Sequence, residues 1–215
     1  MCTTLGQSAP DAPTLCAGWS AYDLAAHLAL RERRPLVAPG IALPFLARAT
    51  ARQMETLKHR YSYFELVDVL RTGPPRWSPT RTPRIAEALY GLELFVHHED
   101  LRRAVAGWAP RDLPFTTQTM LWSRLGPIDR VLARRCPVGL ELVRTDSPDA
   151  SRVKQGEPTV VVRGLPSELV LYAYGRRSVC PGRARRGAGR ARGAAQRELR
   201  RLIADRPAGK TCTNQ

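Results

Sequence analysis

The chain has 215 residues, 43% of them hydrophobic, with a net charge of +15. That length suffices for one domain with a real core, or for one domain plus a small appendage. Three features set expectations: no run of about 20 apolar residues exists to cross a bilayer, Met1–Cys16 lacks the basic-then-apolar pattern of a secretory leader, and the five scattered cysteines (Cys2, Cys16, Cys136, Cys180, Cys212) form no CxxC pair and so no obvious disulfide framework or zinc ribbon; a soluble cytoplasmic protein is expected.

Residues 11–19 form a proline-containing lead-in that ends at Gly18-Trp19. Ser20 reads as a helix N-cap, with Asp23 in the place of a capping-box acid. The run AYDLAAHLALRERR is helical by composition, and Pro35 ends it. Residues 43–60 read as a second helix. Ser62 with Glu65 opens a third, YFELVDVLR, which stops at Gly73-Pro74-Pro75. RWSPTRTP is a loop. A fourth helix is expected from Arg84 to Ala106, with Ile85, Leu89, Leu92 and Val96 at helical spacing. Residues 116–135 read as a further helix, interrupted at Gly126-Pro127.

Four long amphipathic helices with modest loops predict an antiparallel bundle. Near Pro137 the texture changes. PVGLELVRTD alternates like a strand, PTVVVRG is β-branched, and PSELVLYAYG is a short helix. The expected organisation is a mainly α fold: a helical bundle over 1–136, a small α+β appendage over 137–177 and a basic tail over 178–215.

The stretch GLELFVHHED, residues 91–100, holds two of the four histidines. Glu93 and His97 are four apart and share one helix face, about 6 Å apart along the axis. That spacing lets a carboxylate and an imidazole grip one divalent ion. A third ligand is offered by His27, between Leu24 and Leu28 of the first helix, since bundle metal sites are built from facing helices. Two histidines and a carboxylate with an open position are the layout of a catalytic zinc. The plain alternatives are a hydrogen-bonded core histidine and a solvated Glu–His pair. Asp100 returns near the ligand face and either orients a ligand imidazole or pairs with Arg103. His98 is on a different face. HHED is not HExxH, because position 102 is Arg. Leu24, Leu89 and Val96 are candidates for an apolar lining. Cys16 reads as packing and Trp19 as a core anchor.

DAPTLCAGWSAYDLAAHL and ELFVHHEDLRRA together resemble the two metal motifs of the mycothiol-dependent maleylpyruvate isomerase-like family, within the DinB-like four-helix superfamily. LRTGPPRWSP is similar to a subgroup described only as metal-binding. GEPTVVVRGLPSELVLYAYGR resembles the family's C-terminal domain. The resemblance covers about residues 8–177. It implies a DinB-like bundle with His27, Glu93 and His97 as ligands of zinc or another divalent metal. It also implies mycothiol as co-substrate, a small-molecule substrate, and isomerisation or thiol transfer. An arginine of the C-terminal domain is implied in binding an acidic substrate; Arg176, in a Gly-Arg pair, and Arg163 are the candidates.

The charge is uneven: residues 1–176 carry +6 and residues 177–215 carry +9. The tail does not resemble the family's ending. One permitted set of codons for Val179–Gly187, read one nucleotide later, spells Ser-Ala-Arg-Val-Glu-Leu-Asp-Gly, close to the strand relatives have there. The expectation is a frameshift near Arg177, which resequencing the gene would test. The competing reading is a basic arm that binds nucleic acid through phosphates. No aromatic residue follows Tyr174, so no base stacking is offered. Three functions stand: a zinc- and thiol-dependent enzyme, a non-catalytic metal-binding protein, and a nucleic-acid binder acting through the tail.

Overall fold

The computed structural model describes residues 1–33, 47–126, 137–176, 180 and 183–186. The chain is mainly helical with a small sheet. It divides into two compact units, one holding the described residues up to Ala109, the other beginning at Pro110.

The first unit contains α1 (Cys2–Gln7), α2 (Ala21–Arg33), α3 (Ala47–Arg60), α4 (Tyr63–Thr72), a 3-10 turn (Pro79–Arg81) and α5 (Pro83–Arg102). The cap of α2 forms as the sequence predicts. Ser20 N and Oγ donate to Asp23 Oδ2 at 2.9 and 2.8 Å, and Asp23 N donates back to Ser20 Oγ. Ser62 and Glu65 make the same reciprocal box at α4. Gly73 ends α4 with φ +71°, a conformation that a side chain disfavours. α2 packs against α3 and α4, and α1 against α4 and α5. The core holds Leu5, Leu24, Leu28, Leu66, Val67 and Leu101. A fully buried leucine such as Leu24 contributes about 1.5–3 kcal/mol.

Two features depart from the sequence reading. α1 was not anticipated: six residues carry no periodicity. It is held instead by the burial of Leu5 and by a 2.6 Å bond from Tyr63 Oη to the Leu5 carbonyl. The apolar spacing of α5 also does not define a uniformly buried stripe. Ile85 is 39% exposed, whereas Val96, His97, Glu99, Asp100 and Leu101 are buried. The C-terminal half of α5 therefore buries mostly polar groups, and these must be paired or ligating.

The second unit contains α6 (Phe115–Ser123), β1 (Gly139–Arg144), β2 (Ala150–Lys154), β3 (Thr159–Gly164), α7 (Pro166–Ala173) and β4 (Arg183–Arg186). The sheet order is β2-β1-β3-β4; β1 and β3 are parallel and the outer pairs antiparallel. Leu140 and Leu142 of β1 sit opposite Val160 and Val162 of β3, and all four are buried.

The first part of the helix expected over 116–135 is observed as α6, which ends at Ser123 and belongs to this unit. Gln118 ties it to α7: Ser167 N donates to Gln118 Oε1 at 2.9 Å, and both residues are buried. Residues 127–136 lie outside the described residues, as do 34–46, which include the start of the expected second helix. β4 falls within the basic tract read as a tail. Strand pairing uses backbone groups, so an Arg-rich segment without proline can supply it. The other residues of the tract beyond Arg176, except Cys180, lie outside the described residues, and with them the frameshift and basic-arm readings. No helix among the described residues is long and apolar enough to cross a membrane.

Candidate metal centre

α2 presents His27 and, one turn on, Arg31. α5 presents Glu93 and, one turn on, His97. One ligand atom from each of His27, Glu93 and His97 lies within 4.8 Å of the others. His27 Nε2 is 3.2 Å from Glu93 Oε1. The two imidazole rings meet edge to face at 5.1 Å. Trp19 packs over both, with ring centroids 5.0 Å from His27 and 6.4 Å from His97. Its position follows from the lead-in turn, where Gly18 takes φ +77° and Pro13 bridges to Ser20. Trp19 is thus a wall of the site as well as an anchor.

The electrostatics favour ligand-ready states. Burial pushes the His27 imidazole below its ordinary value, against the pull of Glu93. A metal ligand must be neutral imidazole, so this burial favours binding. His27 Nδ1 is itself buried without a hydrogen-bond partner among the described residues. Burial alone would raise the Glu93 carboxyl. Hydrogen bonds from His27 and Arg31, with the Arg31 charge, overrule it and hold the carboxyl at about 2. Arg31 Nε donates to Glu93 Oε1 and Oε2 at 2.9 and 3.0 Å, and Nη2 also bonds Oε2.

Asp100 is fully buried. Its Oδ2 is 3.1 Å from His97 Nδ1 and accepts a 3.2 Å bond from Cys16 Sγ. Leu15 N donates to the Asp100 carbonyl at 3.0 Å, pinning the lead-in onto α5. Arg103 Nε also pairs with Glu99 Oε2, at 2.6 Å. Contact with His97, one of the two roles open to Asp100 from sequence, is present. Cys16, His97 and Asp100 form a second donor set, also within 4.8 Å and sharing His97.

Sequence reasoning missed Arg31 and Cys16 here. Arg31 carried a signal, since it lies four residues after His27 on the same face. Cys16 sits in a turn, where no periodicity points at a partner. His98 turns away and meets Thr4 Oγ1 at 2.8 Å. Leu24 is fully buried in the helical core and Val96 is buried; the Leu89 side chain lies outside the described residues. Arg163 is exposed, and Arg176 is buried with Nη1 donating to the Tyr174 carbonyl at 2.7 Å. Both belong to the second unit, whereas the His27–Glu93–His97 cluster lies within the first.

No family model matches the chain, and no curated protein sequence matches it. Two solved structures are similar: the mycothiol-dependent maleylpyruvate isomerase and a histidine-to-alanine mutant of it. Each is 19% identical with a TM-score of 0.52, covering 85% of this chain and 86% of the other. At that identity the likeness establishes the fold.

Proposed function

We propose that this protein binds one divalent metal, zinc by preference, through His27, Glu93 and His97, and uses it in a thiol-dependent isomerisation or transfer on a small molecule. The observation that carries the reading is the convergence of those three ligand atoms within 4.8 Å, with both histidines buried and Glu93 half-buried. The donor set fits the ion. Bonds of about 2.0–2.2 Å at tetrahedral angles place neighbouring ligand atoms about 3.3 Å apart, and His27 Nε2 and Glu93 Oε1 are 3.2 Å apart. Two neutral nitrogens and one carboxylate leave a fourth position open. A metal bound there would favour the thiolate form of a thiol and polarise a carbonyl oxygen.

This chain's own residues do the rest. Arg31 keeps Glu93 ionised and aimed at His27. Asp100 fixes the His97 ring. Trp19 excludes water from one side. The fold shared with a mycothiol-dependent isomerase supports mycothiol or a similar low-molecular-weight thiol as co-substrate. The helical part is read as a DinB-like four-helix bundle. Arg176 and Arg163 are retained as candidates for an acidic substrate.

The test is metal analysis of the purified protein beside His27→Ala and Glu93→Ala. Stoichiometric metal in wild type, lost in both variants, is expected, followed by consumption of substrate only with thiol present. A wild-type protein that stays metal-free after reconstitution would end the proposal.

A further inference from the structure

A fixed cation, Arg31, lies beside the three donors. Arg31 is largely buried and reaches Glu93 through two of its nitrogens. Its guanidinium lies 5.2 Å from the Tyr90 ring centroid, which holds its plane in place. The remaining nitrogen, Nη1, is buried and has no hydrogen-bond partner among the described residues. A buried donor of this kind is a group that an incoming acceptor would satisfy.

The charges give the consequence. Without a metal, Arg31 and Glu93 cancel. Histidine ligands are neutral, so a divalent ion added to the pair, with the Asp100 carboxylate 3.1 Å from His97 counted in, leaves an excess of one positive charge in a largely buried site. Such a site favours anions. Resting on the metal reading above, we infer that Arg31 makes the metal-loaded site a receptor for a small carboxylate, the metal drawing the anion by its charge and Arg31 adding its own charge and donors. The planar guanidinium suits a carboxylate in a way that a point charge does not. Arg31 thereby acts as a specificity-determining residue within the first unit, separate from Arg163 and Arg176.

Binding linkage is reciprocal, so a carboxylate that prefers the loaded pocket must tighten metal binding by the same factor. The experiment titrates zinc into the full-length protein at fixed ionic strength, with formate or with neutral formamide. Wild type, Arg31→Gln and Arg31→Lys are compared. A unit charge within about 10 Å at an effective dielectric near 20 changes anion affinity roughly tenfold. At formate concentrations too low to fill the metal-free site, the formate-induced gain in zinc affinity follows formate affinity for the loaded site and is therefore expected to be about tenfold smaller in Arg31→Gln than in wild type. Arg31→Lys should recover part of it, and formamide should do nothing in any of them. Arg31→Met takes the place of Arg31→Gln should the latter fail to fold by circular dichroism. An equal formate effect in wild type and the uncharged variant, both holding zinc, overturns the inference and leaves the metal reading standing. Absence of zinc from wild type overturns both, and metal content alone reports it.

Discussion

His27 Nε2 and Glu93 Oε1 stand 3.2 Å apart although 66 residues separate them in sequence. A buried imidazole and a half-buried carboxylate at that distance are hydrogen-bonded or share an ion, and the nearby His97 donor atom supplies the third ligand the proposed metal needs. Loss of an outer-shell partner lowers metal affinity about 10–100-fold, and loss of a ligand should exceed that. His27→Ala and Glu93→Ala are expected to lose bound zinc through desalting while wild type retains it. Inductively coupled plasma analysis reads this directly. Retention in either variant would remove that residue from the ligand set.

Asp100 tests orientation rather than ligation. Its Oδ2 faces His97 Nδ1 at 3.1 Å with no solvent exposure. Asp100→Asn keeps the volume but makes the charge-assisted contact neutral. A fall of roughly 10–100-fold in zinc affinity is expected, with stoichiometry still reaching one at high zinc. Competition with a chromophoric chelator measures it. Unchanged affinity would mean that Asp100 serves packing of the lead-in alone.

The shared His97 leaves two donor sets to be told apart. One includes the Cys16 sulfur and the other does not. The cobalt-loaded protein is expected to lack a strong near-ultraviolet thiolate-to-cobalt band, and Cys16→Ala is expected to keep full metal stoichiometry. A thiolate band that vanishes in Cys16→Ala would move the centre to Cys16, His97 and Asp100. Soft sulfur donors carry that signature and nitrogen–oxygen sets do not.

The helices of the first unit were legible because their signals are local. Ser20 with Asp23 and Ser62 with Glu65 are caps written within four residues. Glu93 and His97 were legible for the same reason, and His27 followed from how bundles place facing helices. What lay hidden is non-local. α1 depends on Tyr63 reaching the Leu5 carbonyl, a contact across 58 residues. Cys16 reaches Asp100 across 84. α6 belongs with the sheet because Gln118 meets Ser167, across 49. No periodicity encodes such pairs. Ile85 misled for a related reason: spacing identifies a helix face, and tertiary packing decides whether that face is covered.

Asp23 links the cap of α2 to α3 and gives the fold a pH signature. It accepts from Ser20 N and Oγ and from Lys58 Nζ at 2.7 Å. Burial alone would raise its carboxyl; the Lys58 and Ser20 hydrogen bonds outweigh that and hold it below the ordinary 3.8. A carboxyl lower in the folded than in the unfolded state stabilises above the unfolded value of about 3.9, and that contribution is lost as pH falls through the folded value. Asp23→Asn keeps an acceptor for Ser20 but loses the ion pair with half-buried Lys58, a change of about 1 kcal/mol. Urea unfolding at pH 7 should show that gap, and the two proteins should converge as pH drops below about 4. Lys58 stays protonated throughout, so Asp23 alone sets the window. A gap that persists unchanged at pH 3 would assign the loss to the geometry of the cap and not to its charge.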